Sequence, residues 1–305
     1  MSDAPLSAKP FHGTLAAALS DAVRKTEASG GASMFWLGQA GFALAAAGKV
    51  ALIDPYLSDS LAEKYRGTIY PHERMMAAPI APTELPRLDF VLLTHRHSDH
   101  MDPGTLPALA RAYPEARFIF PEAERAEAVR RSGLTDEDPR LIGVDAGAKL
   151  EPAPGWSLTV FPAAHEEPET DAASRHRFLG YGVEMAGMRL WHSGDCVPFP
   201  GLAERVRAFH PDVALLPVNG RDPVLRAAGV PGNFTLDEAI AMTRKTGARQ
   251  LLAHHYGMFA FNTCSESLID AAGRRERDIF VSRARTGVVY DAALRSAHDS
   301  GTPHG

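Results

Sequence analysis

The sequence predicts an α/β sandwich in which two mixed β-sheets pack face to face and helices cover the outer faces. Three observations carry this. The chain has 305 residues, within reach of one large α/β domain. Short apolar runs separated by Gly and Lys turns form two meanders, each followed by strand–helix units. Two similar halves of that kind bury their sheets against each other and leave the helices outside.

In order, residues 1–30 read as an N-terminal arm with one helix through "LAAALSDAVRK". The main domain is expected over residues 31–295, with a short tail at 296–305. The first meander is "SMFWLGQAGFALAAAGKVALIDP" (Ser33–Pro55). Tyr65 to Arg87, with Pro71, Pro79, Pro82 and Pro86, has no periodicity and reads as a long loop, and loops of that length are often functional lids. "DFVLLTH" (Asp89–His95) is a continuous apolar run, as in a strand buried on both faces. "PGTLPALARAY" reads as a helix with Asp102 as N-cap and Pro103 at the first position. "RFIFP" is a strand, and "EAERAEAVRRSG" a helix ending at Gly133. "SLTVFPAAH", "FLGYGVEMAG" and "MRLWHSGD" make the second meander. After it come the helix "GLAERVRAFH", the strand "VALLPV", the helix "TLDEAIAMTRKTG" and the strand "QLLAHH".

Composition excludes several function classes. The chain is 45% hydrophobic and 23% charged, with a net charge of -5 and interleaved signs. No polybasic surface for nucleic acid or membrane is implied. Two cysteines, Cys196 and Cys264, make neither a disulfide framework nor a thiolate metal site. "TLAAALSDAV" is short, contains Asp21 and has no cleavage site after it. No apolar run reaches the roughly 18 residues of a membrane helix. The expectation is a soluble, cytoplasmic protein acting on a small molecule, with self-association into a homo-oligomer left open.

The chemistry concentrates in "LTHRHSDHMDPG" (Leu93–Gly104), which packs His95, His97, Asp99 and His100 between an apolar strand and a helix. In extended chain His95, His97 and Asp99 point the same way, and strand ends of α/β sheets are where sites form. His100 falls where the chain turns, so it approaches from another side. A loop alone cannot close a metal site. The remaining donors at strand ends are His165 in "VFPAAHEE", Asp195 in "LWHSGDC", and His254 or His255 in "LLAHHYG". His12, His72, His176, His210, His298 and His304 are poorer candidates, near the termini, in polar loops or closing a helix. His192 and His254 either support ligands or simply pack.

The H-x-H-x-D-H pattern, followed by a later His, a G-D and a final His, resembles the dinuclear signature of the metallo-β-lactamase fold. The order matches over about Met34–Tyr290. Within that superfamily "WLGQAGF", "LIDPYLSD", "HSGDCVPFPGLAERV", "LLPVNGRD", "GNFTLDEA" and "HYGMF" look most like the L-ascorbate-6-phosphate lactonase group. The resemblance implies that His95, His97 and His165 hold one metal and that Asp99, His100 and His255 hold a second. Asp195 would bridge both. It puts the final ligand just before Tyr, hence His255 rather than His254. Oxygen-reducing di-iron relatives carry Glu where this chain has His97, so the imidazole favours hydrolysis. Asp54 resembles the early-strand Asp that steadies the metal loop, and a turn residue before Pro55 is the competing reading. Cys196, where hydroxyl residues are more usual, reads as a small buried filler.

Such a site would hold two divalent ions sharing a hydroxide nucleophile, with Asp99 steering the proton; its all-N/O ligation suits Zn²⁺, Mn²⁺ or Fe²⁺ alike, and the resemblance tips the choice towards Mn²⁺ or Zn²⁺. Asn219 and Arg221 in "VNGRD" are expected at the same rim. Arg221 would recognise an anionic group, or else pair with Asp222. Tyr256 would donate to a developing oxyanion, or else be a core aromatic. Gln39, in a Gly-flanked turn, would approach the site or merely turn the chain. These readings add up to a lactonase on a small anionic sugar-derived lactone. The alternative is a phosphodiesterase, since phospholipase D-like and RNA-processing relatives share the fold, although the low basic charge argues against RNA. The third is a metal-bound binding protein without turnover.

Overall fold

The computed structural model describes residues 4–292. The tail expected at 296–305, with His298 and His304, lies outside the described residues. The first half holds β1 (Leu6–Pro10), α1 (Leu15–Ser29), β2 (Ala32–Gly38), β3 (Gly41–Ala46), β4 (Lys49–Ile53), α2 (Ser60–Lys64), β5 (Phe90–Leu92), α3 (Leu106–Ala112), β6 (Arg117–Pro121), α4 (Arg125–Ser132) and β7 (Leu141–Val144). The second holds β8 (Lys149–Ala153), β9 (Trp156–Pro162), β10 (Leu179–Met185), β11 (Met188–His192), α5 (Leu202–Arg207), β12 (Val213–Pro217), α6 (Pro223–Ala227), α7 (Leu236–Thr246), β13 (Gln250–His254), α8 (Glu266–Arg275), β14 (Phe280–Arg283) and β15 (Val288–Ala292).

One sheet has the order β1-β15-β2-β3-β4-β5-β6-β7 and the other β14-β13-β12-β11-β10-β9-β8. Each is mixed. β4 to β7 run parallel, as do β11 to β14, while the meanders are antiparallel. The expected two-sheet sandwich with outer helices is the observed architecture.

Period-two alternation explains why strands of this chain read as unbroken apolar runs. Met34, Trp36, Phe42, Leu44, Ile53, Phe90 and Leu92 face the core between the sheets, where they meet Trp156, Tyr181 and Trp191 of the second sheet. Their neighbours Phe35, Leu37, Ala43, Leu52 and Val91 face outwards into a second core with Leu15, Leu19, Leu106 and Leu109 of α1 and α3. Both faces are covered, so both registers must be apolar.

The N-terminal segment departs from the arm reading. β1 is an edge strand paired antiparallel with β15, from Leu6 opposite Ala292 to Pro10 opposite Val288. α1 is capped by the Thr14 side chain and ends at Gly30, whose φ of 71° closes the helix in the left-handed region. Its Leu15, Leu19 and Ala22 are buried on the first sheet. Amphipathic burial integrates this segment, and a boundary at residue 30 does not describe it.

A second correction concerns α3. It begins at Leu106, not at Pro103. Asp102 is buried and spends its carboxylate on the preceding turn: it accepts from Ser58 Oγ at 2.9 Å, Ser60 Oγ at 2.7 Å and Gly104 N at 3.0 Å. It ties the loop after β5 to the start of α2, a long-range role that local capping rules do not register.

Burial of the N-terminal helix has a measurable consequence. Leu19→Ala should lower unfolding free energy by about 2–5 kcal/mol in a denaturant titration. A loosely attached arm would leave stability unchanged.

Candidate metal centre

The candidate ligands sit on loops at one end of the two sheets. His95 to His100 follow β5, His165 follows β9, Asp195 follows β11 and His255 follows β13. Two groups of donors form there. His95, His97, His165 and Asp195 present ligand atoms within 4.8 Å of one another, and so do Asp99, His100 and His255. Asp195 faces both groups. Its Oδ2 lies 3.2 Å from His165 Nε2 and 3.4 Å from His255 Nε2, and its Oδ1 lies 3.3 Å from His100 Nε2.

The loop does not reach this arrangement in the extended form expected from alternation. It bends: the amides of His100 and Met101 both donate to the His97 carbonyl, at 3.1 and 2.8 Å. The bend separates Asp99 from His95 and His97 and delivers it, with His100, to the other group.

Buried partners set the imidazole tautomers. Asp54 accepts from Thr94 N at 2.8 Å, Thr94 Oγ1 at 2.6 Å and His100 Nδ1 at 2.7 Å. A carboxylate only accepts, so His100 carries its proton on Nδ1 and turns Nε2 inward. Thr94 Oγ1 has given its proton to Asp54 and accepts from His95 Nδ1 at 3.0 Å. His165 Nδ1 donates to the Gly232 carbonyl at 2.8 Å. Orientation of a ligand imidazole through its other nitrogen is how proteins build metal sites.

His95 Nε2, His100 Nε2 and Asp195 Oδ1 are buried and make no well-aligned hydrogen bond. Leaving such atoms unmatched is costly. A cluster of imidazole nitrogens and carboxylate oxygens without thiolate is the donor set of Zn²⁺, Mn²⁺ or Fe²⁺. The residues fit divalent cations.

Electrostatics tells the same story. Burial and the neighbouring imidazoles of His100 and His97 push His95 well down, and burial together with His165 brings His97 to about 3. Burial opposes charge on His100 and His255 as well. At His100 the carboxylates of Asp195, Asp54 and Asp99 overcome it and raise the pKa well above the ordinary range. At His255 it is Asp195 and Asp99, and the pKa rises to about 9. Burial likewise works against charge on Asp99 and Asp195, yet His100 and His255 hold both below the usual carboxylate range.

Gln39 at 49°, Asp54 at 42° and His255 at 59° are among the residues around the centre that hold positive φ without being glycine. Left-handed backbone of this kind costs of the order of 1 kcal/mol or more per residue. It is held here by long-range bonds. The His255 amide and Trp36 Nε1 both donate to the Gln39 carbonyl, at 2.9 and 3.0 Å. The Gln39 amide nitrogen then lies 2.8 Å from Asp99 Oδ2 and 3.1 Å from His255 Nε2. The choice between adjacent histidines follows. His255 turns into the centre, while His254 stacks on His192 with ring centroids 4.9 Å apart.

A cavity of about 520 Å³ opens above the donors, with His97, Asp99, His165, Asp195 and His255 on its floor and Gln39 beside them. Three expected substrate or catalytic residues are absent from its lining. Tyr256 stacks on Trp36 at 5.1 Å and its hydroxyl donates to the Ala284 carbonyl, so it is a core aromatic. Arg221 donates to the Asn233 carbonyl at 2.9 Å and pairs with Glu238. It does not pair with Asp222 either, whose carboxylate caps α6. Asn219 bonds to Asn262 at 2.9 Å and Asn233 at 3.0 Å, and it is Asn262 that reaches the cavity. Gly220, at φ 78°, turns the chain away between the two.

The wall comes instead from the proline-bearing loop, through Tyr65, Ile69, Tyr70 and His72, and from Ala228–Pro231. Sequence reading missed these residues because neither segment has a period. Their one signal was the length of the loop.

The sequence from 50 to 256 matches the beta-lactamase superfamily domain. The chain belongs to that superfamily. Among its relatives are UPF0173 metal-dependent hydrolases from two bacteria. The one from Polynucleobacter asymbioticus is 26% identical over 82% of this chain and 81% of its own length. The one from Myxococcus xanthus is 28% identical over 83% of each chain. The metallo-beta-lactamase fold protein YhfI of Bacillus subtilis shares the superfamily fold at a TM-score of 0.60, 15% identity, 87% of this chain and 100% of its own. An isothiocyanate hydrolase from Delia radicum gut bacteria does so at 0.62, with 19% identity, 80% of this chain and 92% of its own. Among the described residues of this beta-lactamase superfamily member, no helix is long and apolar enough to cross a membrane.

Two outcomes test the centre. Asp54→Asn places an amide against the His100 Nδ1 donor and should weaken metal affinity about 10- to 100-fold, read by chelator competition, with the fold retained. Protons held on His100 and His255 compete with a metal ion, so uptake near neutral pH should release protons. Because the His255 pKa is raised to about 9, affinity should still be climbing between neutral pH and that value. An indicator-dye titration measures the release, and affinity independent of pH over this range would contradict it.

Proposed function

We propose that this chain is a metal-dependent hydrolase that works with two divalent ions, manganese or zinc, with iron also compatible. Its substrate in this reading is a small anionic sugar-derived lactone. The observation that carries the reading is the position of Asp195, one carboxylate facing both donor groups at the floor of a cavity. Similarity to metal-dependent hydrolases of two bacteria supports it, as does resemblance of the "VNGRD" and "HYGMF" pieces to the ascorbate-6-phosphate lactonase group.

Bound ions would polarise the bond under attack and lower the pKa of water towards neutrality. The chain's own residues do the rest. Asp99 lies on the cavity floor within 2.8 Å of the Gln39 amide, placed to hold a proton between attack and departure of the leaving group. The bent loop and the two walls line the cavity around it. An anionic group on the substrate has cations at hand in Lys64 and Arg96, which line the same cavity. They take over the part that sequence reading assigned to Arg221.

The same two cations suit a phosphodiester, which keeps a phosphodiesterase as the second reading. A binding protein without turnover is the third, and a full set of seven oriented donors speaks against it. The test is a panel of lactones and phosphodiesters on protein loaded with Mn²⁺ or Zn²⁺, stripped with a chelator, and carrying Asp195→Ala. Lactone hydrolysis should vanish on stripping, return on reloading and be absent in the variant. Faster phosphodiester turnover would favour the second reading. Two bound ions with no turnover of either class would favour the third.

A further inference from the structure

The proline-bearing loop presents one imidazole that the metal centre does not use. His72 lines the cavity, and its ring is clamped by aromatic groups. Tyr65 stacks on it at 4.2 Å, and Phe259 and Phe261 meet it edge-on, each at 4.9 Å. The loop is fixed to the scaffold just beyond. Arg74 donates to the carbonyls of Tyr56, Ser58 and Met76 at 3.0, 3.2 and 3.0 Å, and the Met75 amide donates to the Met258 carbonyl at 2.9 Å.

The ring's polarity follows from one bond. His72 Nδ1 lies 2.8 Å from the Tyr70 carbonyl. A carbonyl only accepts, so Nδ1 carries the proton and Nε2 keeps a lone pair. No described protein group donates to Nε2. Burial, helped by the Lys64 charge, lowers the His72 pKa against the opposing pull of the Tyr70 carbonyl and Asp99, which favours the neutral ring. His72 thus brings an acceptor to the lining of the cavity, beside the aromatic rings of Tyr65 and Phe259.

We propose that His72 is a specificity-determining residue: its Nε2 accepts a hydrogen bond from a hydroxyl on the substrate's ring, so that the enzyme selects hydroxylated ring substrates over their deoxy counterparts. This rests on the hydrolase reading for its chemistry, while the recognition itself belongs to the wall. A clamped acceptor gains little from a ligand without a donor. It rewards one whose hydroxyl is correctly placed, because a polar group left unmatched against a bound ligand is penalised.

Two variants separate recognition from loop structure. His72→Asn keeps an amide donor for the Tyr70 carbonyl but is too short to reach the position of Nε2. His72→Gln extends an acceptor to that position. The substrates are γ-butyrolactone and its dihydroxy analogue erythronolactone. His72→Asn should lower kcat/KM on the dihydroxy lactone by about 2- to 12-fold relative to the deoxy lactone, the range of one neutral hydrogen bond, and His72→Gln should restore part of the ratio. Equal losses on both lactones would overturn the proposal.

A binding measurement on the wild-type protein, loaded with Zn²⁺ and labelled with ¹⁵N-histidine, needs neither turnover nor a stable variant. The hydrolysis-resistant dihydroxy-γ-lactam should shift the His72 Nε2 resonance, and 2-pyrrolidinone should not. A shift with both, or with neither, would overturn the proposal. Selective shifts with no hydrolysis of either lactone would sustain the role of His72 and remove the hydrolase reading. Hydrolysis of both lactones without selectivity or selective shift would do the reverse.

Discussion

The centre depends first on the Asp54 carboxylate. It sits just past the end of β4, fully buried, and binds the backbone and hydroxyl of Thr94 and the Nδ1 of His100. Those three bonds join the ends of two parallel strands and fix one metal-facing imidazole. Through Thr94 Oγ1 they reach a second, His95. A buried carboxylate without these donors would be expensive. With them it sets the direction in which the loop's nitrogens point, and the left-handed backbone at Asp54 is what carries the side chain back over the strand end.

The second sheet supplies its candidate ligands from strand ends as well. β11 and β13 are parallel neighbours of β12, and their ends deliver Asp195 and His255 towards the first sheet. The core between the sheets, with Trp156, Trp191, Tyr181 and Phe42 fully or almost fully buried, sets the spacing across which the two sets of donors meet. Tyr256 belongs to that packing. Its stacking on Trp36, whose indole nitrogen holds the Gln39 carbonyl, supports the turn that brings Gln39 to Asp99.

Legibility in the sequence followed the physics of each element. Strands covered on both faces leave unbroken apolar runs, so β2 to β6 and β9 to β13 could be read directly. The donor cluster was legible because four ligating side chains in six residues have few other uses. Elements whose identity comes from distant partners were not legible. β1 alternates weakly and becomes a strand by pairing with β15. Asp102 looked like a helix cap because two of the partners of its carboxylate, Ser58 and Ser60, are more than forty residues away. Arg221 looked like a substrate group because nothing local announces Glu238 and the Asn233 carbonyl as its partners. His72 looked like a polar-loop residue, since its aromatic clamp is assembled from Tyr65 and from Phe259 and Phe261, far along the chain.

In the proposed centre one carboxylate, Asp195, serves two cation sites. Anomalous diffraction from crystals grown with Mn²⁺ or Zn²⁺, recorded at the metal's absorption edge, tests it directly. Two peaks are expected, roughly 3.5–4 Å apart as in paired catalytic metals. One should lie by His95, His97 and His165, the other by Asp99, His100 and His255, with Asp195 between them. A single peak, or a second peak that Asp195 does not touch, would contradict it.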